Sequence, residues 1–127
     1  MIEIVCEFVV KDEARGQFEL AYGPGGAWSK LFAGCTGFRG TTLLRDEKNP
    51  RRYLAIDFWD TLVQRDQRLA ERSAEVANLD TTLGAWTESK IDLGAFRVLT
   101  EATVRPRGRA RRSKPGDARL GRRRTTR

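Results

Sequence analysis

Apolar and mixed side chains alternate along residues 2–10. Ile2, Ile4, Cys6, Phe8 and Val10 share one face, and Glu3, Val5, Glu7 and Val9 share the other. That period of two predicts a strand with one strongly apolar face. The spacing then changes. Ala14, Phe18, Ala21 and Tyr22 recur at helical intervals over 12–22, with Asp12 as the candidate N-cap. Tyr22-Gly23-Pro24-Gly25-Gly26 breaks this helix, because proline brings no backbone donor and glycine favours turns. Trp28, Leu31 and Phe32 resume the helical spacing, and Gly34 is the candidate stop.

Alternation returns over 38–45, where Phe38, Gly40, Thr42 and Leu44 are set against Arg39, Thr41, Leu43 and Arg45. The polar turn Asp46-Glu47-Lys48-Asn49-Pro50 leads into a third strand over 52–59. Its two faces are Leu54, Ile56 and Phe58 against Tyr53, Ala55, Asp57 and Trp59. So short a turn makes the two strands a hairpin. Thr61 and Gln64 have the spacing of a capping box. Between 62 and 83 there is neither glycine nor proline, and Leu62, Leu69, Val76 and Leu83 recur every seven residues with Leu79 between them. This predicts a helix covering a sheet, in one or two pieces, rather than a coiled coil, which needs a longer and fuller seam. Gly84 is expected to end it. A last strand is expected between Trp86 and Leu99, centred on 91–98.

The order β-α-β-β-α-β is the split βαβ arrangement, a ferredoxin-like α+β fold with a four-stranded antiparallel sheet and its helices on one face. The other face of the sheet then meets water or a partner. Neither face of the first strand is fully polar, so a second copy of the chain is expected to cover it.

Charge divides the chain. From Arg105 onward lie eleven of the 24 cations and one of the 17 acids, which leaves residues 1–104 with 13 cations and 16 acids, a net charge of −3. The basicity therefore belongs to a segment, 105–127, that has almost nothing apolar to bury and is expected to be a disordered, arginine-rich tail after a single domain at 1–104. Nucleic acid is a partner only through that tail. A solvated extension is the plainer reading, since no aromatics interleave the arginines. There are two cysteines, no CxxC spacing, no leader-like start and no apolar run long enough to span a membrane, so the expected compartment is the cytoplasm.

The chain contains no histidine. Ser-His-Asp and Cys-His nucleophilic schemes and histidine-bound zinc, iron or haem are thereby excluded. No carboxylate cluster suggests a metal, and no cofactor is expected. The glycines at 23, 25 and 26 do not form a phosphate loop, because they follow a helix and no Lys-Ser/Thr comes after them.

A family resemblance rests on the following residues. They are Phe18-Glu19-Leu20-Ala21-Tyr22-Gly23-Pro24 with Gly26, Trp28, Leu31 and Phe32; then Gly37-Phe38-Arg39-Gly40-Thr41 with Leu43-Leu44-Arg45-Asp46. Asn49-Pro50-Arg51-Arg52-Tyr53-Leu54, Ile56-Asp57 and Trp59 follow, and then Leu79-Asp80, Thr87-Glu88 and Gly94-Ala95-Phe96. In this order the chain resembles the antibiotic biosynthesis monooxygenase-like domains of the dimeric α+β barrel group. The resemblance covers about residues 4–96. It implies a homodimer whose sheets face each other, a cavity between sheet and helices, and cofactor-independent oxygenation of a small phenolic or quinol-type aromatic. A non-catalytic dimeric ligand-binding or structural module of the same fold is the alternative. The chain departs from the family at Gln64-Arg65-Asp66-Gln67-Arg68, which is polar where aromatics are usual.

Cofactor-free oxygenation needs an electron-rich substrate in a dry pocket, help with its phenolic proton, and room for oxygen. Tyr22, Trp28 and Asp57 are the candidate catalytic residues, because a broken Gly-Pro-Gly-Gly helix between two large aromatics and an acid in mid-strand are unfavourable choices for packing alone. Phe18, Phe32, Arg45, Trp59 and Trp86 are the candidate substrate-binding residues. For any one of these aromatics, core packing is the competing reading. Asp57, if buried, needs a partner, and Arg39 or Arg45 is the expected one.

Overall fold

The computed structural model describes residues 1–107. Strand β1 (Ile2–Val10) is followed by a 3-10 turn (Asp12–Ala14), helix α1 (Arg15–Tyr22) and helix α2 (Ala27–Phe32). Strands β2 (Phe38–Arg45) and β3 (Arg52–Trp59) form the hairpin. Helices α3 (Leu62–Glu71) and α4 (Ser73–Trp86) lead to β4 (Thr87–Arg97) and a closing 3-10 turn (Thr100–Ala102). The sheet order is β2-β3-β1-β4, with every neighbouring pair antiparallel. This is the ferredoxin-like α+β sheet expected from the pattern.

The helix-facing side of the sheet is the strongly apolar one. Ile2, Ile4, Phe8 and Val10 of β1 and Tyr53, Ala55 and Trp59 of β3 are buried there. They form two packed groups, one around Phe8, Phe18, Tyr22 and Tyr53 and one around Ile4, Leu31, Phe32 and Trp59. The opposite side carries Val5, Leu54, Ile56 and Phe58 at half burial, with Ile91 at 51% and Phe96 at 52% exposure. At one end of its central strands Arg52 pairs with Glu7 and, at 2.9 Å, with Asp46.

Three local expectations are corrected, and the choice of one or two pieces for the long helix is decided for two. Asp12 does not cap a helix; the chain enters through a 3-10 turn closed by Ala14 N–H donating to Lys11 O, and Asp12 instead meets Arg15 at 3.2 Å. The simple alternation of β2 fails at its start, because a bulge at Arg39 and Gly40 (φ 118°) places Phe38 on the same face as Thr41 and Leu43. The long helix is two pieces, divided at Arg72 (φ −119°, ψ 35°). Gly84 does not end α4, which runs on to Trp86: Leu83 is buried and Trp86 packs against the same group, so core contacts outweigh the roughly 1 kcal/mol that a helical glycine loses.

The break between α1 and α2 is steric in origin. A Cβ on Gly26 would lie 2.2 Å from Leu20 O and 2.5 Å from Ala21 O, both backbone atoms that cannot move aside. Gly26→Ala is therefore expected to destabilise the fold by about 1–3 kcal/mol, seen as a lower urea midpoint. An unchanged midpoint would show that the α1–α2 corner is looser than this contact requires.

The part of the expected tail beyond residue 107 lies outside the described residues. Among the described residues, no helix is long and apolar enough to cross a membrane.

Candidate functional site

The two buried groups meet at Trp28, which packs against both. A continuous row of rings crosses the molecule there. Tyr53 and Phe18 have centroids 4.9 Å apart, Phe18 and Tyr22 5.1 Å, Tyr22 and Trp28 5.9 Å, and Trp28 and Phe32 5.5 Å; Phe32 then meets Trp59 edge-on at 5.2 Å. The α1–α2 corner makes the row possible, since it turns the chain between Tyr22, the last residue of α1, and Trp28, the second of α2.

Beside this row lies a cavity of about 170 Å³. Tyr22 and Trp28 form one wall; Leu79, Leu83 and Trp86 of α4 form the other, with Thr82 among them. These α4 residues follow helical spacing, so one face of α4 closes the space. The walls are almost wholly apolar. The Tyr22 hydroxyl has no hydrogen-bond partner among the described residues, and Thr82 uses its own hydroxyl to donate to Asn78 O at 3.1 Å.

Asp57 lies behind Trp28 and does not line the cavity. Its Oδ1 accepts from Thr41 Oγ1 at 2.7 Å, and its Oδ2 faces the Trp28 indole Nε1–H at 3.5 Å. Neither expected arginine reaches it. Arg39 makes a two-bond pair with Asp60 at 2.8 and 3.0 Å, and Arg45 pairs with Glu19 at 3.3 Å. Both corrections have one cause: these arginines leave the sheet at its ends, where aqueous carboxylates are closer than the buried centre.

Burial governs the titration of the site. It pushes the Asp57 carboxyl above its ordinary value of 3.8, against the pull of the hydrogen bonds from Thr41 and Trp28 and of the charge on Arg65. Burial, helped by the negative field of Asp57, pushes the Tyr22 phenol far above its ordinary 10.0, so it stays protonated. The Cys6 thiol is also raised, chiefly by burial.

The sequence-derived candidates thus separate. Tyr22, Trp28 and Trp86 come together around the cavity. Phe18, Phe32 and Trp59 lie in the packed groups, Phe32 at 1% and Trp59 at 0% exposure, and support those walls from behind. Arg45 belongs to a different groove, with Glu19, Leu43 and Tyr53, where the Tyr53 hydroxyl donates to Glu19 Oε2 at 2.5 Å. The sequence reading missed Thr41, which hairpin register places opposite Asp57. It also missed Leu79, Thr82 and Leu83, whose i, i+3, i+4 spacing with Trp86 at i+7 was the available signal.

Solved structures share this architecture. A variant of SnoaB, a cofactor-independent oxygenase from Streptomyces nogalater, is 26% identical, with a TM-score of 0.64 over 76% of this chain and 91% of that one. A protein from Deinococcus radiodurans named as a candidate antibiotic biosynthesis monooxygenase is 13% identical, with a TM-score of 0.63 over 84% of this chain and 100% of that one. A similarly named protein from Bordetella bronchiseptica is 18% identical, with a TM-score of 0.62 over 77% and 96%. No protein-family model matches the chain, and neither does any curated protein. The resemblance seen in the sequence holds in three dimensions: the fold is that of the antibiotic biosynthesis monooxygenase proteins.

Proposed function

We propose that this protein is a cofactor-independent monooxygenase, working as a homodimer on a small phenolic or quinol-type aromatic. The observation that carries the reading is the apolar cavity between Tyr22, Trp28 and Trp86, which lies between helices α1 and α2 on one side and α4 on the other and not against the sheet as the resemblance implied, in a chain whose fold matches that of a cofactor-independent oxygenase. Its volume selects among substrates. An engineered cavity of about 150 Å³ holds benzene. At about 170 Å³ this one suits one ring with small substituents or two fused rings, and a three-ring compound needs one wall to move.

The residues divide the work as follows. Trp28 and Trp86 stack on the substrate ring and exclude water. Tyr22 stays protonated, so it serves as a donor and not as a base. A hydrogen bond from its hydroxyl to the substrate oxygen stabilises the phenolate over the phenol. The phenolate is electron-rich enough to reduce dioxygen. One oxygen atom replaces the single hydrogen on the ring carbon para to the phenolate and becomes the second carbonyl of a quinone; the other leaves as water, which takes up that hydrogen and, from solvent, the equivalent of the phenolic proton released when the phenolate forms. No charged side chain lines the cavity, which is the feature that favours the non-catalytic module as the second reading.

Oxygen uptake separates the two. Phenol and quinol compounds of one, two and three rings are incubated with the wild type, Tyr22→Phe and Trp28→Phe. The expected result is uptake above the background rate with the one- and two-ring compounds, falling about 10²-fold in Tyr22→Phe, the range for a lost oxyanion donor. Tight binding of the same compounds with no uptake would instead establish the binding module.

A further inference from the structure

Asp57 occupies a position where the strand otherwise presents buried Tyr53, Ala55 and Trp59 to the helices. A carboxylate there is unfavourable without compensation. No cation pairs with it among the described residues, and its two partners are both neutral donors. The sheet does not need this contact, because the β2–β3 ladder already sets Thr41 opposite Asp57. Trp28 does need it. That residue stands in a six-residue helix just after the glycine-rich corner, and so short a helix does not orient its own side chains firmly. Its ring is met by Tyr22 and Phe32 on its faces and edges, and its one polar atom is met by Asp57.

We propose that Thr41 and Asp57 are a positioning pair for the cavity: the Thr41 hydroxyl orients the Asp57 carboxylate, and the carboxylate holds the Trp28 indole in place as a cavity wall. Neither residue touches the ligand, and both act through Trp28. The consequence for ligand binding rests on the cavity being a binding site, as proposed above; the relay of hydrogen bonds does not. The pair is also pH-sensitive. Cys6 of β1, Tyr22 of α1 and Arg65 of α3 act on this centre; Lys90 and Asp92 of β4 act on Cys6, and Asp80 of α4 acts on Tyr22. Cys6 and Tyr22 are both held neutral, so among the groups at the centre of the relay Asp57 is the one that changes charge in mild acid. Its protonation weakens the acceptor under Trp28. Because its folded value is raised, Asp57 favours the fold at acid pH and loses that contribution as pH rises through the raised value.

The test follows the indole N–H signals of the full chain by ¹⁵N NMR from pH 3 to 8, with the Trp28 signal assigned from Trp28→Phe. The Trp28 signal is expected to titrate with a midpoint above 3.8, the midpoint to move higher in Thr41→Val, and Thr41→Ser to restore it. Asp57→Asn is expected to abolish the titration. The affinity for 1-naphthol, added as a small aromatic probe, is expected to weaken about tenfold in Thr41→Val with the circular dichroism unchanged. A Trp28 signal indifferent to pH, or unmoved by Thr41→Val, overturns the relay. A shifted midpoint with unchanged naphthol affinity overturns the positioning role. Failure of the wild type to bind naphthol, with the NMR response intact, sinks the cavity reading and leaves the relay standing.

Discussion

Trp59→Ala is expected to lower the stability of the domain by about 3–5 kcal/mol, a loss that brings a small domain close to unfolding at room temperature. Trp59 is fully buried at the end of the ring row, edge-on to Phe32 at 5.2 Å and to Phe38 at 5.3 Å. Removing it empties the largest side chain of the core and takes the support from Phe32, on which Trp28 in turn rests. Urea denaturation reads the stability, and naphthol affinity reads the slackened cavity wall. The control is Trp59→Phe. The Trp59 Nε1–H is buried without a hydrogen-bond partner, a state that is unfavourable by about 1–3 kcal/mol. Phenylalanine loses volume but also removes that orphan donor, so Trp59→Phe is expected to remain within about 1.5 kcal/mol of the wild type. Equal losses in both variants would show that the donor is satisfied in solution.

The second large effect concerns the open side of the sheet. Ile56 lies at its centre, opposite Val5 on β1 and Thr42 on β2. If a second copy covers this face, Ile56→Lys buries an ammonium twice in one symmetric interface, and losing the compensation for a buried charge is worth several kcal/mol. The dimer dissociation constant is expected to rise by about 10³-fold or more, giving a monomer at micromolar concentration in light scattering. The fold is expected to survive, because in a monomer the lysine reaches water. The cavity lies on the helix side, among residues of α1, α2 and α4, so the monomeric variant is expected to retain 1-naphthol binding. A variant that remains dimeric would place the interface elsewhere.

The apolar spacing of this chain was enough to locate all four strands and the helix break, and to order them into one sheet. The reason is local: a half-buried strand or helix must repeat its apolar side chains at its own period, and Ile2–Val10 does so without a gap and Arg52–Trp59 with one, at Asp57. The sequence also singled out the aromatics that line the cavity. Tyr22 and Trp28 were visible because Gly-Pro-Gly-Gly between two large rings has no simple packing purpose, and Gly26 proves to be a place where only glycine fits. Local rules failed where distant contacts compete with them. The Arg39–Gly40 bulge, the continuation of α4 through Gly84 and the 3-10 turn at Asp12 each follow from neighbours that lie far away in the chain or from backbone geometry that composition does not record.

The partners of Asp57 belong to the same class. Charge alone favoured Arg39 or Arg45, but distance decided for Thr41 and Trp28, which lie 16 and 29 positions away. Which rings line a cavity, and which only support it, was likewise settled by packing. Tyr22, Trp28 and Trp59 have similar chemistry, and only the crossing of α1, α2 and α4 over the sheet leaves space beside the first two and none beside the third. Residue chemistry and spacing are properties of the sequence; the closeness of side chains from separate elements is a property of the packed molecule, and the candidate site consists of such contacts.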